Sequence, residues 1–209
     1  MSSFIQSQGT SYGRQCKDEG SSRSQEASTY LQGLWQEEIV WTVINEFWDG
    51  LAVEYSVVDE PTVDVKHSVT WKGVSNTYTL RWFKPNTHPI YIGSISKPEF
   101  GLLVNGIQVA NIESKNWHVK YKPMSYYDAD KLIISRFRHV VSKQSILIIS
   151  ELRLEDGDSQ QIRNLLNDWH VKVILTHRKA DGFHDKESYQ MIKNQLEPML
   201  TKIVNEESV

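Results

Sequence analysis

The sequence predicts an α/β fold, a mixed central β-sheet flanked by helices, and three features of its 209 residues support this prediction. A long amphipathic helix comes first. A segment rich in β-branched and aromatic residues follows it, interrupted by Gly, Asn and Pro. After residue 123 helical patterns alternate with short apolar runs, which indicates parallel strands joined by helical crossovers. We expect residues 29–209 to form a single domain, and residues 1–28, rich in Ser, Gln and Gly, to form a flexible polar tail.

The first half of the chain begins with a helix predicted over residues 28–48, where apolar side chains recur every three or four positions. Asp49 and Gly50 are expected to end this helix, with Gly50 in a left-handed C-cap. Strands are predicted next, over residues 51–58, 63–71, 78–83 and 89–94.

The sequence of the second half predicts helices that alternate with strands. The helices are expected over residues 126–141, from Asp158 or Ser159 to Trp169, and over residues 186–205. The two strands, residues 145–150 and 171–176, are short continuous apolar runs, which are typical of parallel strands buried on both faces. Pro198 is expected to kink or split the last helix.

Charge and cysteine content exclude several classes of protein. The net charge of −3 argues against a globally basic protein that coats nucleic acid, although it leaves room for a local basic groove. Cys16 is the only cysteine, which excludes an intrachain disulfide and favours a reducing compartment. No apolar run approaches 18 residues, so we expect no membrane partner and an intracellular location, cytoplasmic or nucleoid-associated.

The clearest hairpin joins residues 100–104 to residues 107–114 through Asn105-Gly106, a dipeptide suited to a type I′ turn. Strand alternation places Glu113 and Lys115 on one face, about 6.6 Å apart. A Glu-x-Lys pair alone is more typical of a surface ion pair. However, Glu99 is the only acidic residue between positions 65 and 112, and the hairpin brings it level with Glu113. Two converging carboxylates repel each other, which favours a divalent metal site.

The spacing of these residues resembles a known motif. Pro98-Glu99, thirteen intervening residues and then Glu113-Ser114-Lys115 are similar to the PD-(D/E)XK motif of the restriction-endonuclease-like nuclease superfamily. The order of predicted elements is similar too, over roughly residues 29–180. The resemblance implies a restriction-endonuclease-like core with extra antiparallel strands between residues 51 and 97. The first acid is Glu99 where the family usually has Asp, and Glu reaches one methylene further.

The resemblance also implies a function and a site. A metal-dependent endonuclease would hydrolyse DNA phosphodiester bonds with Mg²⁺ or Mn²⁺. Glu99, Glu113 and the Ser114 carbonyl would bind the metal, and Lys115 would position or activate the attacking water. Members of the family often add an acid from the first helix. Glu37 and Glu38 are both candidates, and Glu37 lies nearer the apolar face of the helix. The alternative for both is a structural role, in which acidic residues near the start of a helix are stabilised by the helix dipole.

Basic residues and assembly complete the prediction. Candidates for DNA contacts are Lys120, Lys122, Lys131, Arg136, Arg138 and Arg178. Their alternative is a solvated helix face.

The alternative function is a catalytically silent protein of the same fold that binds nucleic acid or a protein partner. Duplex cleavage needs two sites, which predicts a homodimer. Its interface is expected at or near the strands of residues 51–97, where alternation would leave some of Trp71, Tyr78, Trp82, Phe83 and Tyr91 on an outward face. The alternative is that these strands bury the rings within the monomer.

Overall fold

The computed structural model of the protein describes residues 21–54, 56–62, 64–84, 98–115, 124–131, 135–137, 144–149, 159–176 and 186–207. Its helices are α1 (Ser21–Leu51), α2 (Tyr126–Ala129), the single turn α3 (Ser135–Phe137), α4 (Ser159–Asp168) and α5 (Lys186–Glu207). Its strands are β1 (Val57–Asp59), β2 (Val65–Lys72), β3 (Thr77–Phe83), β4 (Phe100–Val104), β5 (Ile107–Lys115), β6 (Gln144–Ile149) and β7 (Val171–Leu175).

The seven strands form one sheet in which they lie in chain order from β1 to β7. Strands β1 to β5 are antiparallel to their neighbours, whereas β5, β6 and β7 are parallel. This confirms the α/β class and the mixed sheet. The strand expected at residues 89–94 lies outside the described residues.

Helices cover both faces of the sheet. On one face, α1 and α5 bury a core that includes Ile44 and Trp48 of α1 against Leu80 and Ile148 of the sheet. On the other face, α2, α3 and α4 enclose a second core around Leu147. Strand β6 is therefore apolar on both sides, which explains its continuous apolar run. The prediction is wrong in part for β7, because its Lys172 and Leu175 are exposed. Within the described residues, no helix is long and apolar enough to cross a membrane.

Several boundaries differ from the prediction. Helix α1 begins at Ser21 and so includes residues that the sequence assigned to the tail. It also continues through Gly50 to Leu51, because Leu51 packs against the core. Gly50 is therefore not a left-handed C-cap: of the described glycines, Gly106 alone has positive φ. The strand expected at residues 51–58 shrinks to Val57–Asp59 for the same reason.

Two helices of the second half also differ. The predicted helix over residues 126–141 is described as two short pieces, α2 and α3. A capping box at Ser125 and Asp128 starts α2, with Ser125 Oγ accepting a hydrogen bond from the Asp128 N–H. Pro198 lies inside α5, which remains one helix.

The β4–β5 hairpin forms as predicted and sets the position of the site. Asn105 and Gly106 occupy the turn with φ values of 51° and 79°, as a type I′ turn requires. Phe100 pairs with Ile112 across the two strands. Glu99, one residue before Phe100, therefore meets Glu113, one residue after Ile112, at the end of the hairpin away from the turn.

Candidate active site

Glu99 is fixed by the two strands beside it. Its backbone carbonyl accepts a hydrogen bond from the Phe83 N–H of β3 at 2.8 Å. Its carboxylate Oε2 accepts one from the Ser114 N–H of β5 at 2.6 Å. The side chain is 16% exposed, so the hairpin holds a nearly buried carboxylate at a defined place. The sequence predicted this placement from the Asn-Gly turn.

Glu113 is fully buried beside Glu99. Its Oε1 lies 2.6 Å from Lys115 Nζ and 3.3 Å from Arg136 Nε. Its Oε2 has no N–H or hydroxyl donor among the described residues, but the carboxyl lies within hydrogen-bonding reach of the Glu99 carboxyl. Burial raises the pKa of the Glu113 carboxyl well above its usual range, and the charge of Glu99 raises it further against the opposing effects of Lys115 and Arg136. The carboxyl pair thus retains a proton or requires a cation.

Lys115 lies between the two carboxylates. Its Nζ donates to Glu99 Oε1 at 3.1 Å and contacts Glu113 on the same face of β5, as the strand alternation predicted. Burial by itself lowers the pKa of the Lys115 amine, but the charges of Glu113 and Glu99 outweigh it, so the pKa is raised. Lys115 is therefore an ammonium at neutral pH. It can donate hydrogen bonds to a water or phosphate, but it is not a base.

Arg136, on the single turn α3, belongs to the same cluster. The sequence placed it among the DNA-contacting residues of a helix face, and the structure brings its guanidinium onto Glu113, with 28% of the side chain exposed. Helix α3 lies on the sheet face that Glu113 and Lys115 share, because the neighbouring Phe137 packs into the second core. Only the fold could show this contact.

Glu37 of α1 approaches the cluster from the neighbouring helix. Its Oε2 accepts a hydrogen bond from Trp82 Nε1 at 3.2 Å. Burial raises the pKa of Glu37 to about 7, helped by the charge of Glu99 and opposed by Lys66, Lys115 and the Trp82 hydrogen bond. Of the two candidate acids on α1, Glu37 is the one that interacts with both Glu99 and Lys115.

Glu38 occupies a different environment from Glu37. Burial raises its pKa, and the charge that opposes this rise most is that of Lys66. No contact with Glu99, Glu113 or Lys115 is found for it in the described part of the chain. Glu38 therefore lies beside the site and does not face the carboxylate pair.

Two supporting features escaped the sequence reasoning. Gln36 is fully buried, and its Nε2 donates to the carbonyls of Lys115 at 3.4 Å and Ile148 at 3.1 Å. This joins α1 to the ends of β5 and β6, one residue from Glu37. Lys66 lies over the Trp82 ring, 3.7 Å from its centroid. Both contacts span long sequence separations, so no local pattern indicated them.

The remaining predicted site residues are Lys131, Ser114 and four basic residues. Lys131 is exposed at the end of α2, with its Nζ 5.8 Å from the Tyr127 ring centroid. Lys120, Lys122, Arg138 and Arg178 lie outside the described residues. Ser114 is buried, and its Oγ finds no partner within the described ranges. A role for its carbonyl as a metal ligand stays a prediction.

The donor set suits a hard divalent cation. Mg²⁺ is commonly held by one or two carboxylates and completes its shell with water and substrate oxygens. Glu99 and Glu113 supply that pair, and their adjacent carboxyl groups could share a cation in place of a proton. Among the described residues, no group of three or more His, Cys, Asp or Glu side chains could hold a metal ion. A cation here would depend on two carboxylates and on water.

The cluster thus combines buried carboxylates with an ammonium and a guanidinium at the surface end of a hairpin. Such a combination can hold a cation, orient a water and neutralise an anionic substrate. Ion-pair networks of purely structural purpose use the same residue types. Comparisons of the chain with protein-family models, curated proteins and solved structures give no significant match.

Proposed function

We propose that the protein is a metal-dependent nuclease that hydrolyses DNA phosphodiester bonds. The observation that supports this most is the convergence of Glu99, Glu113 and Lys115 at one end of the β4–β5 hairpin, where the fully buried Glu113 carboxyl lies against the Glu99 carboxyl. Burying two adjacent carboxylates raises the free energy of the folded state, and a structural ion pair could be built from one carboxylate without this cost. A site that accepts a cation accounts for that cost.

Glu99 and Glu113 would hold Mg²⁺ or Mn²⁺, with the Ser114 carbonyl as a further proposed ligand. When bound, the metal supplies positive charge that stabilises the developing charge on the phosphate. The protein contributes a fixed geometry, because the Ser114 N–H and the Phe83 N–H hold Glu99 in place from two strands.

Lys115 is proposed to orient the attacking water. Its raised pKa keeps it as an ammonium, which can hold the water oxygen or a non-bridging phosphate oxygen through its N–H groups. Arg136 offers a planar set of donors that suits a phosphate. Glu37, whose pKa of about 7 leaves part of it ionised at neutral pH, is the nearest candidate to accept a proton.

Plasmid DNA provides the test. We expect cleavage with Mg²⁺ or Mn²⁺ and none with EDTA. The Lys115→Ala variant should still bind DNA while its cleavage rate falls by about 100-fold or more, since the lysine acts mainly in the transition state. Lys72→Ala is the matched control, because Lys72 lies on β2 and pairs with the exposed Glu54. Undiminished cleavage by Lys115→Ala would contradict the role of Lys115.

The alternative is a catalytically silent protein that uses this fold to bind nucleic acid or a protein partner. One observation favours it: Lys115 and Arg136 both contact Glu113 Oε1, so two cations already neutralise much of the carboxylate charge. A silent protein would show no cleavage with either metal and no heat of Mn²⁺ binding in calorimetry.

A further inference from the structure

Lys66 is placed beside the candidate site by an irregularity in strand β2. The β2–β3 register shifts between Val65, which pairs with Phe83, and His67, which pairs with Trp82. Lys66 is the extra residue between them, as in a β-bulge. Bulges redirect a side chain, and they are over-represented near active sites.

The redirected side chain lies on Trp82. Lys66 Nζ is 3.7 Å from the centroid of the indole ring, and that indole is itself only 2% exposed. The Trp82 Nε1 in turn donates to Glu37 Oε2 at 3.2 Å. One aromatic side chain therefore connects Lys66 to the candidate acid of helix α1, and the cation–π contact fixes the ammonium at the rim of the site.

The Lys66 ammonium has donors to spare. Its charge lowers the pKa of the nearby Glu37 and Glu38 carboxyls, but no oxygen of the described residues accepts a hydrogen bond from its Nζ, whereas Lys72 on the same strand pairs with Glu54 at 3.1 Å. An ammonium carries three N–H donors. The Trp82 ring attracts the charge of the ammonium but offers no lone pair as a hydrogen-bond acceptor, so these donors stay available. Lys66 is half-buried, so its position is defined while solvent still reaches it.

We infer that Lys66 binds a backbone phosphate of the nucleic acid next to the cleaved one, and so positions the substrate strand along α1. This inference rests on the proposed function. The charges around the site support it, because Glu37, Glu99 and Glu113 would repel a phosphate chain unless cations flank them. Lysine commonly binds phosphate through the charge of its ammonium group. Trp82 is too buried to stack on a base, which leaves the ammonium as the binding group.

Salt-dependent DNA binding tests the inference. Binding of a labelled duplex to the full-length chain in EDTA is followed by fluorescence anisotropy from about 50 to 200 mM KCl. Lys66→Met keeps an unbranched apolar side chain over Trp82 and removes the charge. We expect it to weaken binding several-fold at low salt and to reduce the slope of log K against log [salt] by about 0.9.

Control variants separate a phosphate contact from a structural role. Lys72→Met, about 20 Å along the same strand by strand geometry, should leave the slope unchanged. Lys66→Arg should restore the slope and also the KM of cleavage. A lower melting temperature for Lys66→Met with an unchanged slope would overturn the inference, because it would show that Lys66 serves only to pack on Trp82.

The outcomes also distinguish this inference from the proposed function. If wild type cleaves DNA and Lys66→Met has the slope of Lys72→Met, only the role of Lys66 is wrong. If Lys66→Met reduces the slope as expected but neither metal supports cleavage, the proposed nuclease activity is wrong and the phosphate contact of Lys66 remains. If wild type binds no DNA, both are wrong.

Discussion

Glu113 shows how strand β5 puts a charged group where it is costly. The carboxyl is fully buried, Glu99 lies beside it, and these two causes raise its pKa well above the usual range. Lys115 and Arg136 reduce the cost but do not remove it, since one oxygen has no donor among the described residues. In the absence of a cation, this carboxyl pair is a natural place for a proton.

Metal uptake should therefore displace a proton. We expect the affinity for Mn²⁺ to rise with pH, because the raised pKa of Glu113 makes a proton compete with the cation, and because ionisation of the neighbouring Glu37, with a pKa of about 7, adds negative charge near the site. Calorimetry in two buffers of different ionisation enthalpy measures the protons released. Glu113→Gln should bind no Mn²⁺. Equal heats in both buffers would contradict the linkage, and unchanged affinity in Glu113→Gln would exclude Glu113 as a ligand.

Glu37 gives a second, independent pH effect. Its pKa is raised from 4.5 to about 7, so the folded protein takes up this proton more readily than the unfolded chain. The stabilisation this provides is complete below about pH 4.5 and is lost as the pH rises to 7. In EDTA, wild type should therefore lose stability relative to Glu37→Gln between pH 5 and 8, by at most about 3 kcal/mol.

Urea unfolding at several pH values measures this difference, with Glu38→Gln as the neighbouring control. Glu38 lies outside the carboxylate cluster, so its variant reports how a change at the adjacent position affects the helix. A stability difference between wild type and Glu37→Gln that is constant with pH would show that Glu37 has an ordinary pKa.

At the scale of elements, two glycines show what local sequence decides. Gly106 has a φ of 79° in the β4–β5 turn, a conformation that costs an L-residue about 1 to 2 kcal/mol. Gly50 lies inside α1, and an added Cβ would meet no atom within 4 Å. We expect Gly106→Ala to destabilise the protein by about 1 kcal/mol. Gly50→Ala should leave stability unchanged or raise it by up to about 1 kcal/mol.

Thermal or urea unfolding of the two variants provides the measurement, and each serves as the control of the other. The opposite signs matter more than the sizes, because the sequence alone had assigned both glycines to left-handed positions. Destabilisation by Gly50→Ala as large as that by Gly106→Ala would mean that α1 ends before Gly50.

The sequence predicted those parts of the site that short-range patterns determine. The Asn105-Gly106 turn and strand alternation were sufficient to bring Glu99, Glu113 and Lys115 together. Lys66 was not assigned to the site, and Arg136 was assigned to DNA contacts without its contact to Glu113, because their positions depend on a bulge in β2 and on how α3 packs. Neither the bulge nor the packing of a three-residue helical turn has a distinct signature in a single sequence.

Tertiary packing also determined where α1 ends. Asp49-Gly50 is a typical stop signal, yet the helix includes both residues, since Leu51 gains contact with the core. Gln36 is a second case in which tertiary contacts decide. This glutamine is buried in the apolar face of α1 because its amide donates hydrogen bonds to two carbonyls at strand ends, and these bonds hold the adjacent Glu37 beside the site.

At the scale of the whole molecule, three aromatic residues of the strand-rich segment are buried within the monomer and do not face outward. Trp71, Tyr78 and Trp82 are at most 6% exposed, and helix α1 covers them, with Trp48 stacked on Tyr78 at 4.8 Å. Their assignment to a dimer interface is wrong. They form the monomer's own core, because the α1 side of strands β2 and β3 needs an apolar face against the helix.

A homodimer remains a prediction on functional grounds, since one metal site cuts one strand and duplex cleavage needs two. Strand β1 offers a place for it. Among the described strands it is the edge of the sheet, so none of them pairs with its outer backbone groups, and its Val57 and Val58 are 54% and 70% exposed. We expect light scattering at micromolar concentration to give twice the 24.2 kDa of one chain.

Val58→Lys should shift that mass to one chain, because a charge on an edge strand opposes pairing with a second copy. Val74→Lys is the control, as Val74 is 87% exposed in the β2–β3 turn, away from the edge. The products should change with the mass: a dimer linearises plasmid DNA, whereas the Val58→Lys monomer should leave nicked circles. Wild type of single-chain mass that only nicks DNA would exclude the dimer and leave the candidate site intact.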